Sequence, residues 1–201
     1  MLNKDFYKKD TLNVAKELLG KNIVRNINGH KLVGRIVETE AYIGPFDKAA
    51  HSYNNRKTQR NEVMFKDAGH AYIYFIYGMY YCFNIVTEDE GKPCAVLIRA
   101  IEPIEGIDYM CKLRYKKELK EISKSQFKNL TNGPSKLCIA LNLDKSLNGI
   151  NLFSDTLYVE DAGYNDFDIV ETTRINIDYA EEARFYPWRF YIKDNPWVSQ
   201  K

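Results

Sequence analysis

Two glutamates stand two residues apart in a stretch that otherwise has the composition of a buried β-strand. Glu38 and Glu40 lie in HKLVGRIVETEAYI, and alternate residues of a strand share a face. A carboxylate among apolar side chains is costly unless it is exposed, paired or used in a reaction. The pair therefore indicates either acid–base chemistry or a strand that ends early in solvent.

Arg99 and His51 are further candidates for polar chemistry. Arg99 follows five apolar residues in PCAVLIRAI, and a buried arginine needs a carboxylate or an anionic ligand. Arg99 could therefore belong to a structural ion pair or take part in catalysis. Pairing with Glu40 would be consistent with both interpretations. His51 lies in a polar loop, where a lone histidine can be structural or functional.

An uncharged aromatic stretch is the third feature. Residues 68–87 contain no Asp, Glu, Lys or Arg, but they contain five tyrosines and two phenylalanines. Such residues favour strands and pack in sheets. Tyrosines at two-residue spacing can also form a stacking wall for flat rings. Near a carboxylate-bearing strand and a basic surface, the stretch indicates a nucleobase pocket.

The charge is unevenly distributed along the 201 residues. Residues 1–150 carry 24 Lys/Arg and 17 Asp/Glu, whereas residues 151–183 carry one arginine and nine acids. A basic body is compatible with a nucleic-acid partner. An ordinary solvated surface has the same composition, so charge alone leaves both interpretations open.

Several classes of protein lose support from motifs that the sequence lacks. It contains no GxGxxG, GxxxxGKS/T, GxSxG or HExxH, which argues against dinucleotide use, ATP use, serine hydrolysis and zinc proteolysis. The four cysteines form no CxxC pair, so we expect free thiols and no metal site. No run of about 18 apolar residues and no signal-peptide core occur, which predicts neither membrane insertion nor secretion.

Local signals predict one domain, residues 1–201, with mixed helices and strands. Asn28-Gly29 between two β-type runs predicts a hairpin, and Gly44-Pro45 should end its second strand. A long connection over 43–68 follows, and Gly78 is placed at a bend between two further strands. The predicted helices are Asp10–Gly20, Ile107–Ile122 and a short one that begins at Pro134.

Five strings in order resemble those of the alkyladenine (3-methyladenine) DNA glycosylase family. They are GRIVETEAYIGPFDKAAHS, RNEVMF, AYIYFIYGMYYCFNIV, VLIRAIEPIEG and GPSKLCIAL. The resemblance covers roughly residues 10–153 and resumes in RFYIKDNPWVS near the C-terminus. Residues 154–183 match poorly, so nothing is carried onto them.

The resemblance implies a fold and a function. The fold is a single mixed α/β (α+β) domain, with a curved, mainly antiparallel sheet, flanking helices and a protruding β-hairpin. The activity is base-excision repair: a monomer without metal or cofactor flips an alkylated or deaminated purine out of duplex DNA and hydrolyses its N-glycosidic bond. We therefore expect a cytoplasmic, DNA-associated enzyme whose partner is damaged duplex DNA and which has no membrane partner.

The resemblance also assigns roles at the reaction centre. Glu40 is expected to be the general base that activates water, and Arg99 to help position that water and Glu40. The expected base-pocket residues are Tyr42, His51, Tyr74 and Asn84. Among these, Asn84 would disfavour the exocyclic amine of normal guanine, and the other three would be stacking walls.

Four residues are expected to contact DNA outside the pocket. Tyr77 resembles the wedge that fills the gap left by the flipped nucleotide, and Met79 lies beside it in the same turn. Arg56 and Lys136 resemble phosphate contacts.

Two other functional classes remain open from the sequence. The first is a carbohydrate glycosidase that uses Glu38 and Glu40 as its pair. Alternate residues of a strand lie about 7 Å apart, so both carboxylates would flank one side of the substrate. The second is a non-catalytic nucleic-acid-binding module that uses the aromatic face.

Overall fold

An antiparallel sheet of eight strands organises the chain in the computed structural model, which describes residues 1–76 and 78–200. The strands are β1 Asn22–Ile27, β2 His30–Ile43, β3 Ala71–Ile76, β4 Tyr80–Thr87, β5 Cys94–Glu105, β6 Leu157–Glu160, β7 Ile169–Thr172 and β8 Arg189–Ile192. The α-helices are α1 Lys4–Tyr7, α2 Thr11–Glu17, α3 Ile107–Tyr115, α4 Lys124–Lys128 and α5 Pro134–Ala140. The sheet is open and curved, so the predicted mixed α/β fold class is confirmed.

The long strand β2 is the centre of the sheet. Its first half pairs with β1 across the Asn28-Gly29 turn, where both turn residues have positive φ, as the hairpin signal predicts. Its second half pairs with β8, and β5 runs along its other edge. β2 ends at Ile43, directly before Gly44-Pro45, so the predicted strand end is confirmed.

The hairpin of β3 and β4 lies at one edge of the sheet and projects from it. Gly78 has a φ of 69°, a value that suits glycine in a tight turn. The tip exposes large apolar side chains, including Met79 at 64% and Phe75 at 47%. The predicted protruding hairpin is therefore confirmed, whereas Tyr77, the expected wedge, lies outside the described residues.

The helices pack short apolar faces on the sheet. Asp10 caps α2 by accepting hydrogen bonds from two backbone N–H groups, as predicted, and α5 begins at Pro134. The prediction of one helix over 107–122 is too long. Helix α3 ends at Tyr115 because Lys116 takes a left-handed conformation that stops the helix.

No helix among residues 1–76 and 78–200 is long and apolar enough to cross a membrane. The four cysteines are buried free thiols, and burial raises the pKa of Cys82 to about 11 and of Cys94 to about 12.

Candidate active site

Irregular strand pairing brings Arg99 to both glutamates. Glu38 pairs with Ala100 and Thr39 pairs with Ile98, so the register between β2 and β5 skips Arg99. Such a bulge re-aims the side chain of the extra residue. The Arg99 Nε lies 3.2 Å from Glu38 Oε1, and its Nη1 lies 3.4 Å from Glu40 Oε1. Burial alone would lower the pKa of Arg99, but the charges of Glu40 and Glu38 outweigh it and raise that pKa.

Glu38 is fully buried and is committed to internal partners. Its Oε1 accepts from Arg99 and, at 2.8 Å, from Arg189 Nη1. Its Oε2 accepts from the backbone N–H of Ser199 at 2.7 Å. The strand therefore does not end early in solvent, and Glu38 ties β8 and the C-terminal segment to β2.

Glu40 is also fully buried and lies one layer beneath a cavity. Its Oε1 accepts from the backbone N–H of Ile175 at 2.8 Å, and its Oε2 accepts from the Tyr42 hydroxyl at 2.8 Å. Ile175, Tyr42 and Arg99 line the cavity. Glu40 is not among the lining residues but contacts all three of them. An ionised carboxylate has about four acceptor positions, so these two hydrogen bonds, beside the ion pair with Arg99, leave it able to accept from a further donor.

The cavity has a volume of about 720 Å³, within the range of small-molecule sites. Its polar and aromatic lining includes Tyr42, His51, Arg60, Tyr72, Tyr74, Cys82, Asn84 and Arg99. The structure thus places all four expected base-pocket residues around one cavity. Asn84 is held at the wall because its amide N–H donates to the Tyr72 carbonyl at 3.1 Å.

His51 forms part of an aromatic corner. Its Nδ1 lies 2.9 Å from the Tyr72 hydroxyl, and its ring meets the Tyr74 ring edge-on at 4.6 Å. Burial and the nearby Arg60 charge lower the pKa of His51 to about 4, so the ring is neutral at pH 7. Burial also raises the pKa of Tyr42 and of Tyr74, which keeps their hydroxyls protonated. The cavity walls therefore present uncharged rings.

Part of the acidic segment, which the resemblance does not cover, closes one side of the cavity. Ile175, Asn176, Ile177 and Tyr179 line it. Arg174 anchors this turn through a bidentate ion pair with Asp47. The sequence analysis assigned no role to these residues. The available signal was Arg174 itself, the single base among nine acids, because such a residue is a candidate for a buried pair.

The expected DNA contacts lie in different surroundings. Met79 is exposed at the hairpin tip, and Arg56 is exposed in the loop after β2. Lys136 is partly buried at the start of α5, where its Nζ donates to Asn129 and Asn132 at 2.8 Å each, and burial lowers its pKa. Arg60, which the sequence analysis did not single out, lines the cavity and lies 5.4 Å from the centre of the Tyr74 ring.

Within the described ranges 1–76 and 78–200, no group of three or more His, Cys, Asp or Glu side chains could hold a metal ion.

Comparisons with known proteins agree with this geometry. The family model described as methylpurine-DNA glycosylase (MPG) matches residues 5–196. Proteins from Alkaliphilus oremlandii and Clostridium perfringens strain 13, each named "Putative 3-methyladenine DNA glycosylase", are 56% and 58% identical to this chain. A protein of the same name from Clostridium tetani is 57% identical, and in all three cases the match covers 100% of this chain and 99% of the relative. The chain belongs to the methylpurine-DNA glycosylase family.

Proposed function

We propose that this chain is a monofunctional DNA repair glycosylase. It flips an alkylated or deaminated purine out of duplex DNA and hydrolyses the N-glycosidic bond, which releases the free base and leaves an abasic site. The observation that carries the proposal is the buried carboxylate of Glu40, in contact with residues that line a cavity whose walls include several uncharged aromatic rings. The family supports the same activity.

Recognition would begin with extrusion of the damaged base. A base inside a duplex cannot be reached, and unstacking costs a few kcal/mol. Stacking on Tyr42, His51 and Tyr74 would offset that cost at about 1–3 kcal/mol per base–aromatic contact. Asn84, fixed by Tyr72, would then sit at the edge of the bound base and disfavour the exocyclic amine of guanine.

Hydrolysis would follow from the position of Glu40. The carboxylate accepts a proton from a water that attacks the sugar C1′, and its negative charge stabilises the oxocarbenium-like transition state. Arg99 would help to position this water and Glu40, because its side chain lines the cavity and forms an ion pair with Glu40 at 3.4 Å. An alkylated purine is already an activated leaving group, and a deaminated purine takes a proton from water or a weak acid as it leaves, so one key carboxylate suffices.

The hydrogen-bond partners of Glu38 argue against a carbohydrate glycosidase that uses Glu38 and Glu40 as its pair. A glycosidase of that kind needs both carboxylates to face the substrate. Glu38 instead accepts from two arginines and one backbone N–H, all within the protein.

Residues 1–201 would act as one domain and as a monomer, in association with the DNA of the cytoplasm, in a nucleoid or a nucleus. Neither a metal nor an organic cofactor is part of the proposed chemistry, in which water is the only co-substrate.

Base release tests the proposal directly. The chain is incubated with duplexes that contain 3-methyladenine or hypoxanthine, and the supernatant is analysed for free base. We expect release from the damaged duplexes and none from the matched undamaged duplex. Binding of damaged DNA without release would support the non-catalytic binding module instead.

We predict that borohydride will trap no covalent adduct between the enzyme and DNA. A lyase needs an amine nucleophile with a lowered pKa. The segments that match the family pocket, residues 40–51, 72–84 and 96–100, contain one lysine, Lys48. Its Nζ lies 2.5 Å from Glu181 and 2.9 Å from Glu182, and these hydrogen bonds raise its pKa. Burial lowers the pKa of Lys136, but its Nζ donates to two asparagine oxygens within the protein. Gel analysis after reduction checks this, and a strong adduct band that Lys48→Met abolishes would contradict it.

We also predict that affinity for DNA will fall steeply with salt. Each neutralised phosphate contributes about −0.9 to the slope of log K against log salt. Arg56→Ala should make the slope shallower by about one unit, since this side chain extends from an exposed loop. Lys136→Ala should change it less, because two internal carbonyls already engage that ammonium. Fluorescence anisotropy titrations at several salt concentrations measure both slopes. An unchanged slope for Arg56→Ala would contradict the expected contact between Arg56 and a DNA phosphate.

A further inference from the structure

A buried ion pair lies against the wall of the cavity. Arg174 donates from Nη1 to Asp47 Oδ2 at 2.5 Å and from Nη2 to Asp47 Oδ1 at 2.8 Å. Both side chains are fully buried. The guanidinium carbon of Arg174 also lies 4.8 Å from the centre of the Tyr42 ring and 5.0 Å from that of the Trp188 ring. The bidentate pairing with Asp47 fixes the orientation of the Arg174 guanidinium.

Each partner of the pair holds a different segment. Asp47 accepts from the backbone N–H of Ala49 at 2.9 Å and from that of Ile43 at 3.3 Å, which closes the loop leading to His51. Arg174 also donates to the carbonyls of Ala41, at 2.9 Å, and Ala183, at 3.1 Å. The pair therefore fastens the turn at 174–177 to β2 and to the loop after it.

The turn that the pair fastens reaches Glu40 directly. Ile175 follows Arg174 in the chain, and its backbone N–H donates to Glu40 Oε1 at 2.8 Å. We infer that Arg174 and Asp47 are positioning residues for Glu40: they hold the Ile175 N–H on one carboxylate oxygen, so that the carboxylate presents a fixed acceptor to the attacking water. The inference rests on the proposed function. It gives the acidic segment a part in the reaction.

Two variants test the inference in different ways. Asp47→Asn keeps the size of the side chain but leaves the Arg174 charge uncompensated. Ile175→Pro removes the N–H that reaches Glu40 and leaves both residues of the ion pair unchanged. Lys48→Met is the matched control, because the ion pairs of Lys48 with Glu181 and Glu182 join the same two segments at the surface, away from Glu40.

The measurement separates positioning from folding. Single-turnover excision of hypoxanthine from a duplex, with enzyme in saturating excess, gives the rate constant, and a binding titration gives Kd and the fraction of enzyme that binds. A purely structural role lowers the fraction of enzyme that is folded and binds DNA, and leaves the rate constant at saturating folded enzyme unchanged. A positioning role lowers the rate constant itself.

We expect both test variants to lose about 10- to 100-fold in the rate constant, the range for one hydrogen bond to a charged group. Lesion-duplex Kd should change by less than about threefold, because the stacking walls remain. Lys48→Met should match the wild type in both.

Three outcomes would overturn the inference. An unchanged rate constant for Ile175→Pro overturns the inference. If Asp47→Asn does not fold, the result for Ile175→Pro alone is decisive. A Lys48→Met rate as low as that of Asp47→Asn also overturns it, since any link between the segments would then suffice. A wild type that binds lesion DNA but releases no base overturns the proposed function first, and the inference with it.

Discussion

Replacing Glu40 with glutamine should lower the rate constant of base excision by at least about 100-fold, the contribution expected of a general base. Glutamine keeps the shape but cannot take a proton from water. Its carbonyl can still accept from Ile175 N–H, and its amide can donate to the Tyr42 hydroxyl, which can reverse its role. The fold and the pocket walls should therefore survive, and affinity for lesion DNA should stay close to that of the wild type.

Glu38→Gln is the matched comparison, since it makes the same change two residues away. Its main effect should be on stability, because Arg99 and Arg189 would lose a buried counter-charge. Breaking a buried pair costs about 3–5 kcal/mol. Single-turnover excision and thermal melting of the two variants separate the roles. Near wild-type excision by Glu40→Gln would refute its assignment as the base.

Local signals in the sequence predicted the two hairpins of the sheet. Asn28-Gly29 tolerates positive φ at both turn positions, and Gly78 tolerates it at the hairpin tip, so each turn could be placed from residue type alone. Pro134 likewise placed the start of α5. These features depend on neighbours in the chain, which is why the sequence carries them.

The hydrogen bonds and ion pairs of Glu38 and Glu40 depend on contacts between distant segments of the chain. Glu38 and Glu40 are the same residue type on the same strand. Yet Glu38 accepts hydrogen bonds from Arg189 and Ser199, whereas Glu40 accepts them from Ile175 and Tyr42. The partners come from the last 30 residues of the chain and from β2 itself. The bulge at Arg99 is likewise a property of the pairing between β2 and β5, so strand alternation could not place it. The sequence could therefore identify both carboxylates as candidates, but local patterns could not show which of them has a structural role and which faces the cavity lining.

Replacing Tyr77 with alanine should lower excision from a stable duplex by roughly 10- to 100-fold. A wedge recovers about 1–3 kcal/mol of the stacking lost when the nucleotide leaves the helix. At about 1.4 kcal/mol per tenfold, that gain sets the expected loss. Tyr77 lies outside the described residues, but its neighbours suit a wedge: Ile76 pairs with Tyr80 to close the hairpin, and Met79 is exposed.

The substrate dependence of this loss distinguishes a wedge from a packing residue. Extrusion costs most when the lesion starts well paired, and less when it lies opposite a mismatch or a gap. A wedge should therefore matter less on the second kind of duplex, whereas a packing residue should lower the melting temperature and reduce excision equally on both. Single-turnover rates of Tyr77→Ala on hypoxanthine in a fully paired duplex and opposite a gap, with thermal melting of the variant, make the comparison. Equal fractional losses on the two duplexes would rule out the wedge and leave Tyr77 a structural residue of the hairpin.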